Sequence, residues 1–312
     1  SKSVQLGAGL EKTGRLSRGS MMRTIQALRI CQQKLRKHRV KHMRLVATEA
    51  CRRATNADEF IKRVQRETGL RLDIIAPEEE ARLAAISCAP LVNKKTENLL
   101  VVDIGGGSTE LVWIDMSQVP KRDRPHSIMQ LETGFARSNK SIPSARVVDW
   151  ISVPLGVATL RDQFNDVEDD GARFALMSWF FEENLSGFAP YHDEKARERF
   201  QIVGTSGTVT TVAASHLGLK RYDRTKVDGL RISSVQIDKV IQSYLEMGPT
   251  GRRADPRIGQ DRQALIMSGA AILQALLRSW PTHKLSVADR GLREGLLYSQ
   301  MSADGALREQ TS

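Results

Sequence analysis

Residues 99–115 read LLVVDIGGGSTELVWID. Two apolar, β-branched runs flank a turn built from Asp103, three consecutive glycines, Ser108 and Thr109. The runs predict two strands, and the turn between them predicts a hairpin. An ordinary hairpin turn needs one glycine or an Asn-Gly pair, not three glycines behind a carboxylate. Glycines allow a tight bend and bring backbone N–H groups close to an oxyanion, where a β-carbon would collide with it. Ser108 and Thr109 add hydroxyl donors, and Asp103 suits a divalent cation or its water shell. A phosphate-binding turn formed by Gly105, Gly106, Gly107, Ser108 and Thr109 is therefore expected, with a metal beside Asp103. A glycine-rich turn without a ligand is the plain alternative.

The remaining chain sets bounds on this reading. With 312 residues, two domains are the natural division. Hydrophobic residues are 40% and charged residues 27%, as in an ordinary soluble globular protein. No apolar run reaches the roughly 20 residues that span a bilayer, and no secretory signal pattern opens the sequence. Cys31, Cys51 and Cys88 are odd in number and lack histidines at ligand spacing, which suits thiols in a reducing cytoplasm. A net charge of +11, from 47 Lys plus Arg against 36 Asp plus Glu, suits a polyanionic partner or, equally, an unspecialised basic surface. Aromatic residues are only 5%, with no stacking platform, which argues against nucleic acid.

Strands alternate with helices. The spacing predicts a strand at 3–6 and a basic amphipathic helix at 17–37. It then predicts a strand at 42–48, a helix at 56–67 opened by an Asn56/Glu59 capping pair, and a strand at 71–76. A helix follows from Pro77, with an acidic first turn. Beyond a polar linker at 93–98 and the hairpin, loops are expected at 119–125 and 138–146, and a helix at 170–190. Residues 199–211 read as strand, glycine turn and helix start. A long buried helix is expected at 261–280, a strand at 285–289 and a final helix at 292–301. This alternation gives an α/β fold.

A second glycine turn, Gly204-Thr205-Ser206-Gly207-Thr208, lies between a short apolar strand and a helix. Glycines and hydroxyls at a helix N-terminus present free N–H groups and a positive dipole end to an anion. The turn lacks the Lys-Ser/Thr ending of a P-loop. Alone it reads better as a simple turn; paired with the first glycine turn, it reads as a second phosphate loop. Glu78, Glu79 and Glu80 complement a helix dipole, and one of them facing a cleft would serve as a general base for water. Glu110 is placed to share a metal with Asp103, or is a surface carboxylate on a strand. Arg52 and Arg53 follow a strand end, where an arginine can pair with phosphate oxygens. Arg262 adds a charged group at the start of the long helix.

Six segments in order carry a resemblance: VQLGAGLEKTGRLS (4–17), ATEACRRATNADEF (47–60), APEEEARL (76–83), VVDIGGGSTELV (101–112), IVGTSGTVTTVA (202–213) and VADRGLREGLL (287–297). Together they resemble the exopolyphosphatase/guanosine pentaphosphate phosphatase family of the actin-like superfamily. The resemblance implies two actin-like, ribonuclease H-like domains facing a central cleft, at 1–86 and 87–302 with a tail at 303–312. It implies that the first domain lacks its N-terminal strands in this sequence, since the family's opening strand and Asp-x-Gly-Ser/Thr-Asn turn are not among these residues. It also implies Mg²⁺-dependent release of a terminal phosphate from inorganic polyphosphate or guanosine pentaphosphate. Glu80 matches the family's catalytic base, Arg52 and Arg262 its phosphate-contacting arginines, and Asp103 and Glu110 its carboxylates at the metal. A cytoplasmic homodimer is the assembly the family suggests. A small-metabolite kinase of the same superfamily and a non-catalytic polyphosphate or alarmone sensor are the alternatives.

Overall fold

The computed structural model describes residues 4–135, 144–188 and 199–306. It divides into two compact units, Ser1–Pro77 and Glu78–Ser312. The sequence-based division after residue 86 falls inside a helix, Pro77–Cys88, whose apolar face packs into the second unit's core.

In the first unit, α1 (Leu10–Thr13), α2 (Arg18–Lys37), α3 (Glu49–Arg53) and α4 (Ala57–Thr68) surround a two-stranded parallel sheet. Its strands are β1 (Val46–Ala47) and β2 (Asp73–Ile74). They are shorter than the predicted 42–48 and 71–76, because each has just the other as a ladder neighbour among the described residues. The core gathers Leu16, Met21, Ile25, Phe60, Val64 and Leu70. Ser17 caps α2 by accepting the Ser20 N–H at 3.1 Å. The Asn56/Glu59 capping pair does not form. Asn56 instead buries its amide against the backbone of Leu16, accepting from the N–H at 2.8 Å and donating to the C=O at 3.0 Å. A loop-to-helix staple thereby takes the place of a cap. At the predicted strand 3–6, residue 3 is outside the described residues, and 4–6 form no strand.

The second unit is built on a six-stranded sheet in the order β5-β4-β3-β6-β8-β7. β3 (Asn98–Ile104), β6 (Phe200–Thr205) and β8 (Leu285–Ala288) are parallel neighbours. β4 (Thr109–Asp115) returns antiparallel to β3, β5 (Arg146–Val153) antiparallel to β4, and β7 (Arg231–Ile232) antiparallel to β8. Strand alternation splits the apolar residues between two layers. Leu99, Val101, Val112 and Val203 face α5 (Pro77–Cys88), with α6 (Arg124–Met129) beside it. Leu100, Val102, Leu111 and Ile202 face the opposite layer of five helices. These are α7 (Val157–Gln163), α8 (Asp170–Glu183), α9 (Gly207–His216), α11 (Ser234–Ala254) and α12 (Ile266–Ser279). The short α10 (Arg224–Val227) precedes β7, and α13 (Leu292–Ala303) follows β8. Buried on both faces, the central strands read as the continuous apolar runs seen in the sequence.

Several boundaries move. Residues 119–125 are not all loop, since α6 starts at Arg124. The expected 170–190 helix ends at Glu183, and residues 189–190 lie outside the described set, as do 138–143 of the expected loop and 307–312 of the tail. The predicted helix at 261–280 begins only at Ile266, behind a 3-10 turn at Gln260–Arg262. Residues 234–254, given no element from sequence, form α11, interrupted at Gly248 (φ 62°). All three cysteines are free thiols, and burial pushes Cys51 up to about 11 and Cys88 up to about 12. Among the described residues, no helix is long and apolar enough to cross a membrane.

Candidate active site

Strand register assembles the centre of the site. Asp103 pairs with Glu110 across the hairpin and with Thr205 on the other side, and Glu110 pairs with Ser152 of β5. Residues paired across strands share a sheet face. The row Ser152, Glu110, Asp103, Thr205 therefore continues, at the strand ends, the face that Val101, Val112 and Val203 line beneath α5. An apolar face turns polar where it meets the first turn of α5, and that first turn carries the three glutamates.

Those glutamates divide their work. Glu79 is committed to structure: its carboxylate takes two N–H groups of the buried Arg82, at 2.7 and 3.0 Å, while Arg82 also donates to the Leu131 carbonyl. Glu80 is the one whose charge reaches Asp103 and Glu110. Burial, reinforced by Glu80, pushes Asp103 up to about 7. Burial, Glu80 and Asp103 push Glu110 up to about 8, although Ser108 and Ser152 hydroxyls act in the opposite sense. Ser152 donates to Glu110 at 2.9 Å. Three carboxylates held within mutual repulsion, Glu110 buried and Asp103 half-buried, form a site that favours a cation or a shared proton.

The glycine turn is held from behind. The first turn of α7 donates into it, from Val157 N–H to Gly105 O (3.0 Å) and from Ala158 N–H to Gly106 O (2.8 Å). Thr159 adds its hydroxyl to Gly107 O at 3.2 Å. With its carbonyls turned toward α7, the turn leaves the N–H groups of Gly106, Gly107 and Ser108 without a backbone acceptor among the described residues. Glycine is required here by close approach. A Cβ on Gly105 would stand 2.8 Å from the Ser108 carbonyl, and one on Gly156 would stand 2.5 Å from Gly105 O. Gly106 has nothing within 4 Å of its Cβ position, so its side is open to a ligand.

The second turn is more structural than the sequence suggests. Gly204 lies inside β6, where a Cβ would crowd Val209 at 3.3 Å. The Thr205 hydroxyl is given to the Arg290 carbonyl and that of Thr109 to the Leu155 carbonyl. Ser206 caps α9, accepting from Thr208 and Val209 N–H at 3.1 and 3.2 Å. Of the hydroxyls expected to face an anion, that of Ser108 bonds the Glu110 carboxylate. Arg262, far off in sequence, is brought to this turn. Its guanidinium lies across Gly207, where a Cβ would fall 1.8 Å from the guanidinium carbon. An arginine over a helix N-terminus combines two positive features at one point. Arg52 belongs to the first unit, where it donates to Glu49 (2.9 Å) and to the Ile75 carbonyl (2.9 Å).

Ser152, Gly156 and Thr159 went unread in the sequence. Only the ATLRD run after Pro154-Leu155-Gly156 hints at a helix start. For a divalent cation the donor set is suitable: hard carboxylate oxygens from Asp103 and Glu110, with a hydroxyl adjacent. No group of three or more His, Cys, Asp or Glu among the described residues forms a metal cage. Mg²⁺ needs no such cage, since it takes one or two carboxylates and fills its shell with water and phosphate.

Known proteins share this architecture. The sequence is 29% identical over 300 residues to the guanosine-5′-triphosphate,3′-diphosphate pyrophosphatase of Aeromonas hydrophila subsp. hydrophila, covering 95% of this chain and 52% of that protein. The chain thus spans about half the length of the curated relatives it matches. The crystal structure of the Aquifex aeolicus Ppx/GppA family member superposes with a TM-score of 0.73 at 31% identity, covering 100% of this chain and 89% of that one. An exopolyphosphatase from Cytophaga hutchinsonii shares the fold with a TM-score of 0.76 at 22% identity, covering 97% and 88%. The profile of the Ppx/GppA phosphatase family matches residues 1–304. The family profile and the structural matches agree, and the chain belongs to the Ppx/GppA phosphatase family, with its actin-like α/β fold.

Proposed function

We propose that this protein is a Mg²⁺-dependent phosphohydrolase that releases the terminal phosphate of inorganic polyphosphate or of the 5′ end of guanosine pentaphosphate. The observation that carries the reading is the convergence of Glu80, Asp103 and Glu110 beside a glycine turn whose Gly106, Gly107 and Ser108 N–H groups have no backbone acceptor among the described residues. The family and the pyrophosphatase names of the Aeromonas relatives support it.

In this reading the terminal phosphoryl group rests on the N–H groups of Gly106, Gly107 and Ser108. Arg262 and the start of α9 take the neighbouring phosphate charge. Asp103 and Glu110 would hold Mg²⁺, which supplies charge neutralisation on phosphate oxygens when bound. Glu80 orients a water molecule and accepts its proton as the water oxygen bonds to phosphorus. The bridging P–O bond breaks and its electron pair leaves with the shortened phosphate chain. Arg52 is assigned a phosphate contact through the family motif.

Orthophosphate release from tripolyphosphate and from guanosine pentaphosphate, each with Mg²⁺ and with excess chelator, tests the proposal. Release from at least one substrate, abolished by chelator, is expected. No release from either would overturn it. Phosphorylation of a small metabolite by ATP would favour a kinase instead.

A further inference from the structure

The parallel strands that bring Asp103 and Thr205 to one end of the sheet begin, at the other end, around a second concavity. β3 has seven residues, which places this end about 20 Å from the glycine turn. A cavity of about 190 Å³ opens there, and its charged lining residues are Lys95, Arg199, Arg231 and Lys284, with no carboxylate among the described lining residues. All four cationic residues are exposed at its rim. The floor is polar and built. Gln201, Thr96 and Ser286 are each more than nine-tenths buried. Gln201 accepts from the Asn93 N–H (2.9 Å) and the Thr96 hydroxyl (2.7 Å), and donates to Leu91 O and Ser286 Oγ (2.9 Å each). Arg231 stands opposite Ser286 in the β7–β8 register. Glu97 is held between Arg199 (2.6 Å) and Arg124 (3.2 Å).

Val101, Val203 and Ala288 make this sheet face apolar above the cavity. Its lower end instead carries a rigid amide–hydroxyl network under converging like charges. Like charges gathered over a low-dielectric floor repel, and an anion relieves them. We propose that this cavity is a second anion site, which takes condensed phosphate groups and is separate from the candidate active site. The phosphates of an inorganic chain and those of a guanosine polyphosphate share that chemistry. The inference does not depend on the proposed hydrolysis, since binding alone is read.

Calorimetric titration of the full chain with tripolyphosphate, in chelator, tests it. Two classes of site are expected. The double variant Arg231→Glu/Lys284→Glu should lose one class, with at least a tenfold fall in its affinity, and Arg231→Gln/Lys284→Gln should weaken it less. Arg262→Ala should leave that class intact. Both lower-end residues are exposed, so an unchanged melting temperature separates lost binding from lost folding. Guanosine pentaphosphate in a parallel titration distinguishes the sources. Equal binding of both probes supports recognition of the phosphate groups, and binding of tripolyphosphate alone supports an inorganic chain. An isotherm for the double Glu variant that superposes on the parent's would overturn the site, as would no second class in the parent.

Discussion

Glu110 is 1% exposed and accepts hydroxyls from Ser152, at 2.9 Å, and Ser108, yet it lies beside Asp103 and feels the charge of Glu80. Its folded pKa is raised, so folding takes up a proton at this group. Ionisation then costs stability, none of it below the ordinary carboxylate range and all of it once pH exceeds about 8. Glu110→Gln removes that cost. The variant should melt higher than the parent at pH 8 and nearly level with it at pH 5, while Mg²⁺-dependent turnover is lost. Thermal melts at the two pH values and a phosphate-release assay check both. Arg82 poses the opposite case. It is 6% exposed and bound by Glu79 and the Leu131 carbonyl, so Arg82→Ala should destabilise the fold by about 3 kcal/mol, measured by denaturant unfolding.

At the scale of elements, α13 and α5 meet without intervening side chains, because a Cβ on Gly295 would fall 2.0 Å from the Leu83 carbonyl. Gly295→Ala should force the helices apart, lower stability by about 1–3 kcal/mol and, by displacing the turn that carries Glu80, slow turnover more than it weakens substrate binding. Comparing kcat with KM separates the two effects. Such contacts explain what could be read from sequence. The β3–β4 hairpin was legible because its strands, turn and carboxylate are contiguous. The α11 start was also written locally, as a reciprocal Ser233/Gln236 cap, with Ile237, Val240, Ile241 and Tyr244 at helical spacing behind it. The seating of Arg262 on Gly207 was not legible, since 55 positions separate them and only the packing of α12 against α9 joins them. The short strands of the first unit show the limit of pattern alone: alternation marks an extended run, but a ladder needs neighbours.

At the scale of the molecule, raised carboxylates bias the metal-free protein toward protonation at the candidate centre. Ionisation costs stability as pH rises from the ordinary carboxylate range to about 7 for Asp103 and about 8 for Glu110, whereas the carboxylates paired with arginines, such as Asp255 with Arg257, are lowered and lose their contribution only under more acid conditions. A divalent cation binds the ionised pair. The rise in melting temperature on adding Mg²⁺ should therefore be larger at pH 8 than at pH 6, and Asp103→Asn should abolish the difference. An equal shift at both values would remove the metal from this carboxylate pair.

The central claim is that Glu80, set beside Asp103 and Glu110, activates water against a phosphoryl group held on the glycine turn. Glu80→Gln keeps the shape of the side chain and removes the proton acceptor. With Mg²⁺ and saturating tripolyphosphate or guanosine pentaphosphate, its phosphate release should fall by about 10²–10⁴-fold while substrate affinity stays within a few-fold of the parent. Release at the parent rate would contradict the account.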